Sequence, residues 1–69
     1  MTGRVYKKIE LTGSSTQSIE NAVEVAINKA SSSIKNMRWF EVIETRGDIK
    51  DNKVHCWQVT IKVGFKIDD

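Results

Sequence analysis

Proline is missing from the 69 residues, cysteine and histidine occur once each, and aromatic residues make up only 7%. Each scarcity excludes something. With Cys56 alone, no disulfide can close within the chain. A lone thiol, together with an opening that lacks a leader-like apolar segment, predicts a reducing, cytoplasmic setting. Metal ligands are equally scarce: His55 and Cys56 are neighbours in a strand-like run, so they point to opposite faces and cannot chelate one ion together. No apolar run approaches the ~20 residues that a membrane span needs. The four glycines are isolated, so no phosphate-cradling loop is present. No Gly-x-Ser-x-Gly elbow exists, and His55 is the only imidazole, so nothing supports a nucleophile with its base. Glu20 and Glu24, one helical turn apart, read as solvated carboxylates. These absences argue against an enzyme.

Charge of one sign is also scarce. Eleven basic residues against nine acidic ones leave a net charge of +2. The pI is near 8.9, yet the basic residues are interleaved with acidic ones, and Lys7 and Lys8 point to opposite faces of their strand. So small a charge gives little counterion-release drive, which leaves nucleic-acid binding as a weak alternative. Length sets a further limit. A chain of this size is one domain, residues 1–69, and buries only roughly 60% of the surface it exposes when unfolded. Without a disulfide or a metal to supplement so small a core, oligomerisation or a bound ligand is the expected source of additional stability.

The hydrophobic period separates four segments. Residues 4–12 alternate, with Val5, Lys7, Ile9 and Leu11 on one side and Tyr6, Lys8, Glu10 and Thr12 on the other, a half-buried strand ended by Thr12-Gly13. Ser14 and Gln17 have capping-box spacing. Beyond them Ile19, Ala22, Val23, Ala26, Ile27, Ala30 and Ile34 fill a stripe of about 140°, which predicts a helix on one face of a sheet, ended by Asn36. Residues 37–46 alternate again, with Phe40 and Val42 against Trp39, Glu41, Ile43 and Thr45. Gly47-Asp48 through Asp51-Asn52 is turn chemistry for a hairpin. Residues 53–67 form the clearest strand, with Trp57, Val59, Ile61, Val63, Phe65 and Ile67 on one face and Cys56, Gln58, Thr60, Lys62 and Lys66 on the other. The fold class is therefore α+β: one β-α-β-β domain whose three antiparallel strands, in order 1-3-2, pack on one helix.

Parity then singles out two residues. If Phe40 and Val42 face the helix, Trp39 and Ile43 face away from it, beside Gln58 and Thr60, where this small fold has nothing of its own to cover them. Val25, outside the helix stripe, fits the same account. A large aromatic left there marks an interaction surface; the alternative is a core residue whose parity a bulge has shifted. Gln58 offers a donor and an acceptor side by side, although mid-strand it also reads as an ordinary solvated residue. An aromatic plate and an amide on one face suit a flat heteroaromatic ring.

Several stretches together carry a family resemblance. They are Val5-Tyr6-Lys7-Lys8-Ile9-Glu10-Leu11-Thr12-Gly13-Ser14-Ser15, Trp39-Phe40-Glu41-Val42, Arg46-Gly47, Gln58-Val59-Thr60 and Val63-Gly64-Phe65, in order from about Val5 to Asp68. The chain resembles the dodecins, small flavin-binding proteins of the bacterial type. The resemblance implies a hollow homododecamer of cubic symmetry that binds FMN or riboflavin in pairs at two-fold interfaces. By the same resemblance, Trp39 stacks on the isoalloxazine ring, Gln58 hydrogen-bonds its polar edge, and Arg46 holds the flavin side chain or phosphate. Stacked tryptophan implies quenching, hence storage and photoprotection. Relatives that bind coenzyme A point to Lys29, Ser33 and Lys35, whose plainer reading is a solvated basic helix end that complements the helix dipole. The chain departs from the family pattern at Arg38, where an acidic residue is expected, at Trp57, where a smaller aromatic is usual, and at Lys66, where arginine is common. A structural homo-oligomeric shell without flavin is the rival reading.

Overall fold

The computed structural model describes residues 3–67; the outer ends of the expected domain, residues 1–2 and 68–69, lie outside the described residues. Four elements follow one another: β1 (Tyr6–Ser15), α1 (Ile19–Ala30), β2 (Met37–Lys50) and β3 (Lys53–Lys66). The sheet order is β1-β3-β2 with both pairings antiparallel, as the hydrophobic period predicts. No helix among the described residues is long and apolar enough to cross a membrane.

β1 does not stop at Thr12-Gly13. It runs on to Ser15, which pairs with Trp57. Gly13 serves packing rather than termination: a Cβ there would sit 2.1 Å from the Ala22 carbonyl oxygen and 3.0 Å from the Ala26 Cβ. Its bare backbone lets α1 close down on the strand.

Because Ser14 is a strand residue, the expected capping box does not form and the helix starts later. Ser18 is the N-cap, its backbone extended and its Oγ accepting the Asn21 N–H at 3.0 Å. Ser15 ties the connecting turn instead. Its Oγ accepts the Gln17 N–H at 2.9 Å and donates to Asn21 Oδ1 at 2.7 Å, so this buried hydroxyl is satisfied. At the other end α1 stops at Ala30, well before Asn36. The serine run closes it: the Ser31 N–H reaches the Ile27 carbonyl, and the Ser31 and Ser32 hydroxyls donate to the Asn28 and Lys29 carbonyls at 2.6 and 2.9 Å. These bonds satisfy carbonyls that would otherwise be orphaned. Asn36, at φ 63°, directs the chain into β2.

The core is small. Ala22, Val23 and Ala26 of α1 pack on Val59, Ile61 and Val63 of β3, with Ile9, Leu11, Ile27 and Met37 at its margin. α1 lies over β1 and β3 and leaves β2 almost uncovered. Phe40 and Val42 do face the helix side, opposite Val63 and Ile61, but they remain 46% and 49% exposed and do not complete the core as expected. Trp57 is only half-buried.

The hairpin also differs from its expected form. Gly47 to Lys50 belong to the strand, and the turn is Asp51-Asn52 alone, at φ 53° and 61°. Two consecutive left-handed residues, from types that tolerate that region, make a turn whose twist matches the strands it joins. Beyond the Ser15–Trp57 pair, β2 and β3 continue as a two-stranded ribbon that leaves Ile49 and Val54 exposed and stretches the molecule to 57 Å.

Candidate functional site

The sheet face opposite α1 is assembled by register. In an antiparallel pair, directly opposed residues project to the same side. Lys8, Gly64 and Trp39 form one row across the three strands; below it lie Glu10, Lys62 and Glu41, then Thr12, Thr60 and Glu44, then Ser14, Gln58 and Arg46. Cross-strand contacts tie the rows together: Lys8 is ion-paired with Glu41, and the Thr12 and Thr60 hydroxyls meet at 2.9 Å.

The row of Trp39 is built around a glycine. The benzo edge of the indole lies over Gly64, where an added Cβ would fall 2.2 Å from Cζ2. Gly64 has an ordinary negative-φ or extended backbone, so the need is for space. Tyr6 meets the same indole edge-on, ring centroids 5.2 Å apart at 66°, in the T-shaped arrangement that the aromatic quadrupole favours. The indole is thereby held on the outer face and stays 41% exposed. Sequence parity places Trp39 on this face, whereas the supports from Tyr6 and Gly64 are absent from that reading. Tyr6 had one available signal, its position on the polar side of β1.

Arg46 reaches the face through a bulge. Strict alternation from Phe40 and Val42 would put every even residue of β2 on the helix side, Arg46 included. Instead Val42 pairs with Ile61 and Glu44 with Thr60, so Ile43 is an unpaired extra residue. Past it the parity reverses: Thr45, expected outside, opposes Val59 on the helix side, and Arg46 opposes Gln58 on the outer face. A bulge is the ordinary device for re-aiming side chains in this way. The Arg46 Nε–H donates to Gln58 Oε1 at 2.8 Å.

One chain thus brings Arg46 and Gln58 together but does not bring Trp39 to them. Gln58 lies six residues along β3 from Gly64, the partner of Trp39, a separation of about 20 Å.

The three residues connected with coenzyme A span two adjoining depressions, with Ser33 in both. Lys29 and Ser33 line an open groove of about 670 Å³ between the second half of α1 and the Leu11–Ser14 stretch of β1. Lys35 lines a different depression, with Phe65 and Lys66. Elsewhere, His55, Glu20 and Glu24 are exposed. Cys56 is buried, its thiol 3.4 Å from Asp48 Oδ2. Among the described residues, no three His, Cys, Asp or Glu side chains are grouped to hold a metal ion.

Comparison with known proteins follows the same lines. A family model described as Dodecin matches residues 5–68. A dodecin of Thermus thermophilus is 40% identical over 67 residues, 97% of each chain. Among solved structures, dodecin from Streptomyces davaonensis superposes with a TM-score of 0.94 at 38% identity, covering 99% of this chain and 100% of that one. Dodecin from Streptomyces coelicolor also gives 0.94, at 36% identity over 100% and 99% of the two chains.

Proposed function

The chain belongs to the dodecin family, whose members bind flavins and are not enzymes, and on that premise we propose that it stores FMN or riboflavin between the subunits of a cytoplasmic homododecamer. The observation that carries the proposal is the bare outer face of the sheet. It has Trp39 at one end and the Arg46–Gln58 pair at the other, while α1 covers the opposite side.

The residues on that face fit a flavin. Trp39 offers an exposed indole for stacking, worth about 0.5–1.5 kcal/mol beyond area burial. Gln58 offers an amide to the polar edge of the ring. Arg46 keeps guanidinium N–H groups beyond Nε for the FMN phosphate, a planar fork that lysine does not provide. When bound, the flavin supplies a light-absorbing, redox-active ring. Trp39 stacked on that ring would serve as an electron donor to its excited state, quenching emission and protecting the ligand from light.

The site takes two copies. Since an isoalloxazine ring does not span the distance between Trp39 and Gln58 of one chain, a ring stacked on Trp39 takes its hydrogen bonds from Gln58 of a partner subunit. Two β2 edges packed antiparallel about a two-fold axis meet this need, because each copy's Trp39 end then lies beside the other's Arg46 end. β2 suits such an interface: it is a 14-residue edge strand with Phe40, Val42 and Ile43 all 46–50% exposed, an edge that isolated proteins protect.

Coenzyme A is the lesser ligand reading. Only Lys29 and Ser33 of its three residues share the groove, and the neighbouring Ser31 and Ser32 hydroxyls are engaged by helix carbonyls.

Titration of riboflavin and FMN with the protein, followed by flavin fluorescence, tests the proposal. The expected result is quenching that saturates with protein. Undiminished emission at protein excess contradicts flavin binding and leaves the structural shell; a mobility shift of DNA at physiological salt would revive the nucleic-acid reading.

A further inference from the structure

Resting on the flavin reading, we infer that Arg46 is a positioning residue for the Gln58 amide, so that the site recognises a ring by its hydrogen-bond-accepting edge, whether or not the ligand carries a phosphate. The two ends of a glutamine amide are chemically opposite, one accepting and the other donating twice. A guanidinium only donates. The atom that meets Arg46 Nε at 2.8 Å is therefore the Gln58 carbonyl oxygen, and the –NH₂ end is turned away from Arg46. A ligand that approaches Gln58 finds donors. The chemistry that answers them is a carbonyl oxygen or an unprotonated ring nitrogen, as at N1 and O2 or at O4 and N5 of an isoalloxazine, whose N3–H between the two carbonyls is itself a donor.

Without Arg46 the amide is free to rotate and to offer its acceptor as readily as its donors. Ordering it then falls to the ligand, at a cost in side-chain entropy. The bulge at Ile43 belongs to the same device, since it is what carries Arg46 to the outer face opposite Gln58. This role is separate from the grip on phosphate, which uses the outer nitrogens of the same guanidinium. The two roles make different predictions once Gln58 is removed: positioning is lost with the amide, whereas a direct grip on the phosphate or flavin side chain is not.

The experiment uses riboflavin. Arg46→Ala and Gln58→Ala are each expected to weaken riboflavin about tenfold, the scale of one well-oriented hydrogen bond. The double variant is expected to lose no more than Gln58→Ala alone, because without Gln58 the guanidinium has no amide to orient. Arg46→Ala should weaken FMN further than riboflavin by the lost phosphate contact. In the ligand-free assembly, ¹⁵N labelling of glutamine side chains reports only Gln17 and Gln58. The two Gln58 amide proton signals should lie away from the positions of a solvated glutamine in the wild type and move to those positions in Arg46→Ala. Unchanged riboflavin affinity in Arg46→Ala, losses that add in the double variant, or an unaltered Gln58 amide would each overturn the inference while leaving flavin binding intact. A wild-type protein that does not quench riboflavin would overturn the flavin reading itself, and the inference with it.

Discussion

Trp39 depends on what is missing at position 64. The indole lies where a methyl group on Gly64 would project, and Tyr6 holds its edge. Gly64→Ala is tolerated by the backbone, which is not in the left-handed region, and in a strand interior alanine gains roughly 0.5–1 kcal/mol over glycine. The sheet should therefore persist while the indole is displaced. The expected outcome is a changed near-ultraviolet circular dichroism of the tryptophans and a riboflavin affinity about tenfold lower, the equivalent of one lost aromatic contact; wild-type affinity in this variant would show that the indole's seat is not set at Gly64. At this scale the sequence was informative for two of the three residues proposed to hold the flavin. Trp39 and Gln58 announce themselves by parity, because an odd position on one strand and an even one on the other both oppose the apolar sets. Arg46 does not. Its even number assigns it to the helix side, and only the family resemblance pointed to it, since a bulge at an isoleucine leaves no glycine or proline as a marker.

At the scale of elements, periodicity identified every strand and the helix, and local hydrogen bonding moved their ends. Thr12-Gly13 resembles a strand terminator, but Gly13 is there for the close approach of α1, and β1 continues to Ser15. The helix start shifts accordingly. Three hydroxyl residues in Ser14-Ser15-Thr16 and a fourth at Ser18 all have capping chemistry; the sheet holds Ser14 and Ser15, and Ser18 is the cap. Ser18→Ala removes the Oγ acceptor of the Asn21 N–H and costs about 1 kcal/mol. Amide exchange at Asn21 should then accelerate about fivefold with flavin affinity unchanged; wild-type exchange would mean that Ser15, which bonds the same Asn21 through its side chain, holds the turn by itself. The bulge is the element-scale feature with the largest functional consequence, because one inserted residue exchanges Thr45 for Arg46 on the outer face.

The whole molecule is a 57 Å blade with, among the described residues, a core cluster of six buried hydrophobic side chains and an apolar edge strand left open. Scarcity of disulfide, metal and core volume was legible at once and predicted dependence on partners. The helix's failure to cover β2 was not legible, since alternation shows which side a residue faces but not whether anything lies there. That gap turns Phe40 and Val42 from expected core into surface that a neighbouring subunit can bury. Register likewise separates the two halves of the proposed flavin site, which the sequence places on one face without the distance between them. The central claim is that each flavin is held by Trp39 of one subunit and Gln58 of another, and complementation tests it directly. Trp39→Ala and Gln58→Ala chains, assembled separately, should quench riboflavin weakly. Unfolded together and refolded as a mixture, equal amounts should regain about a quarter of the wild-type sites, because one subunit pair in two is mixed and one of its two sites is intact. No recovery in demonstrably mixed assemblies would contradict the shared site.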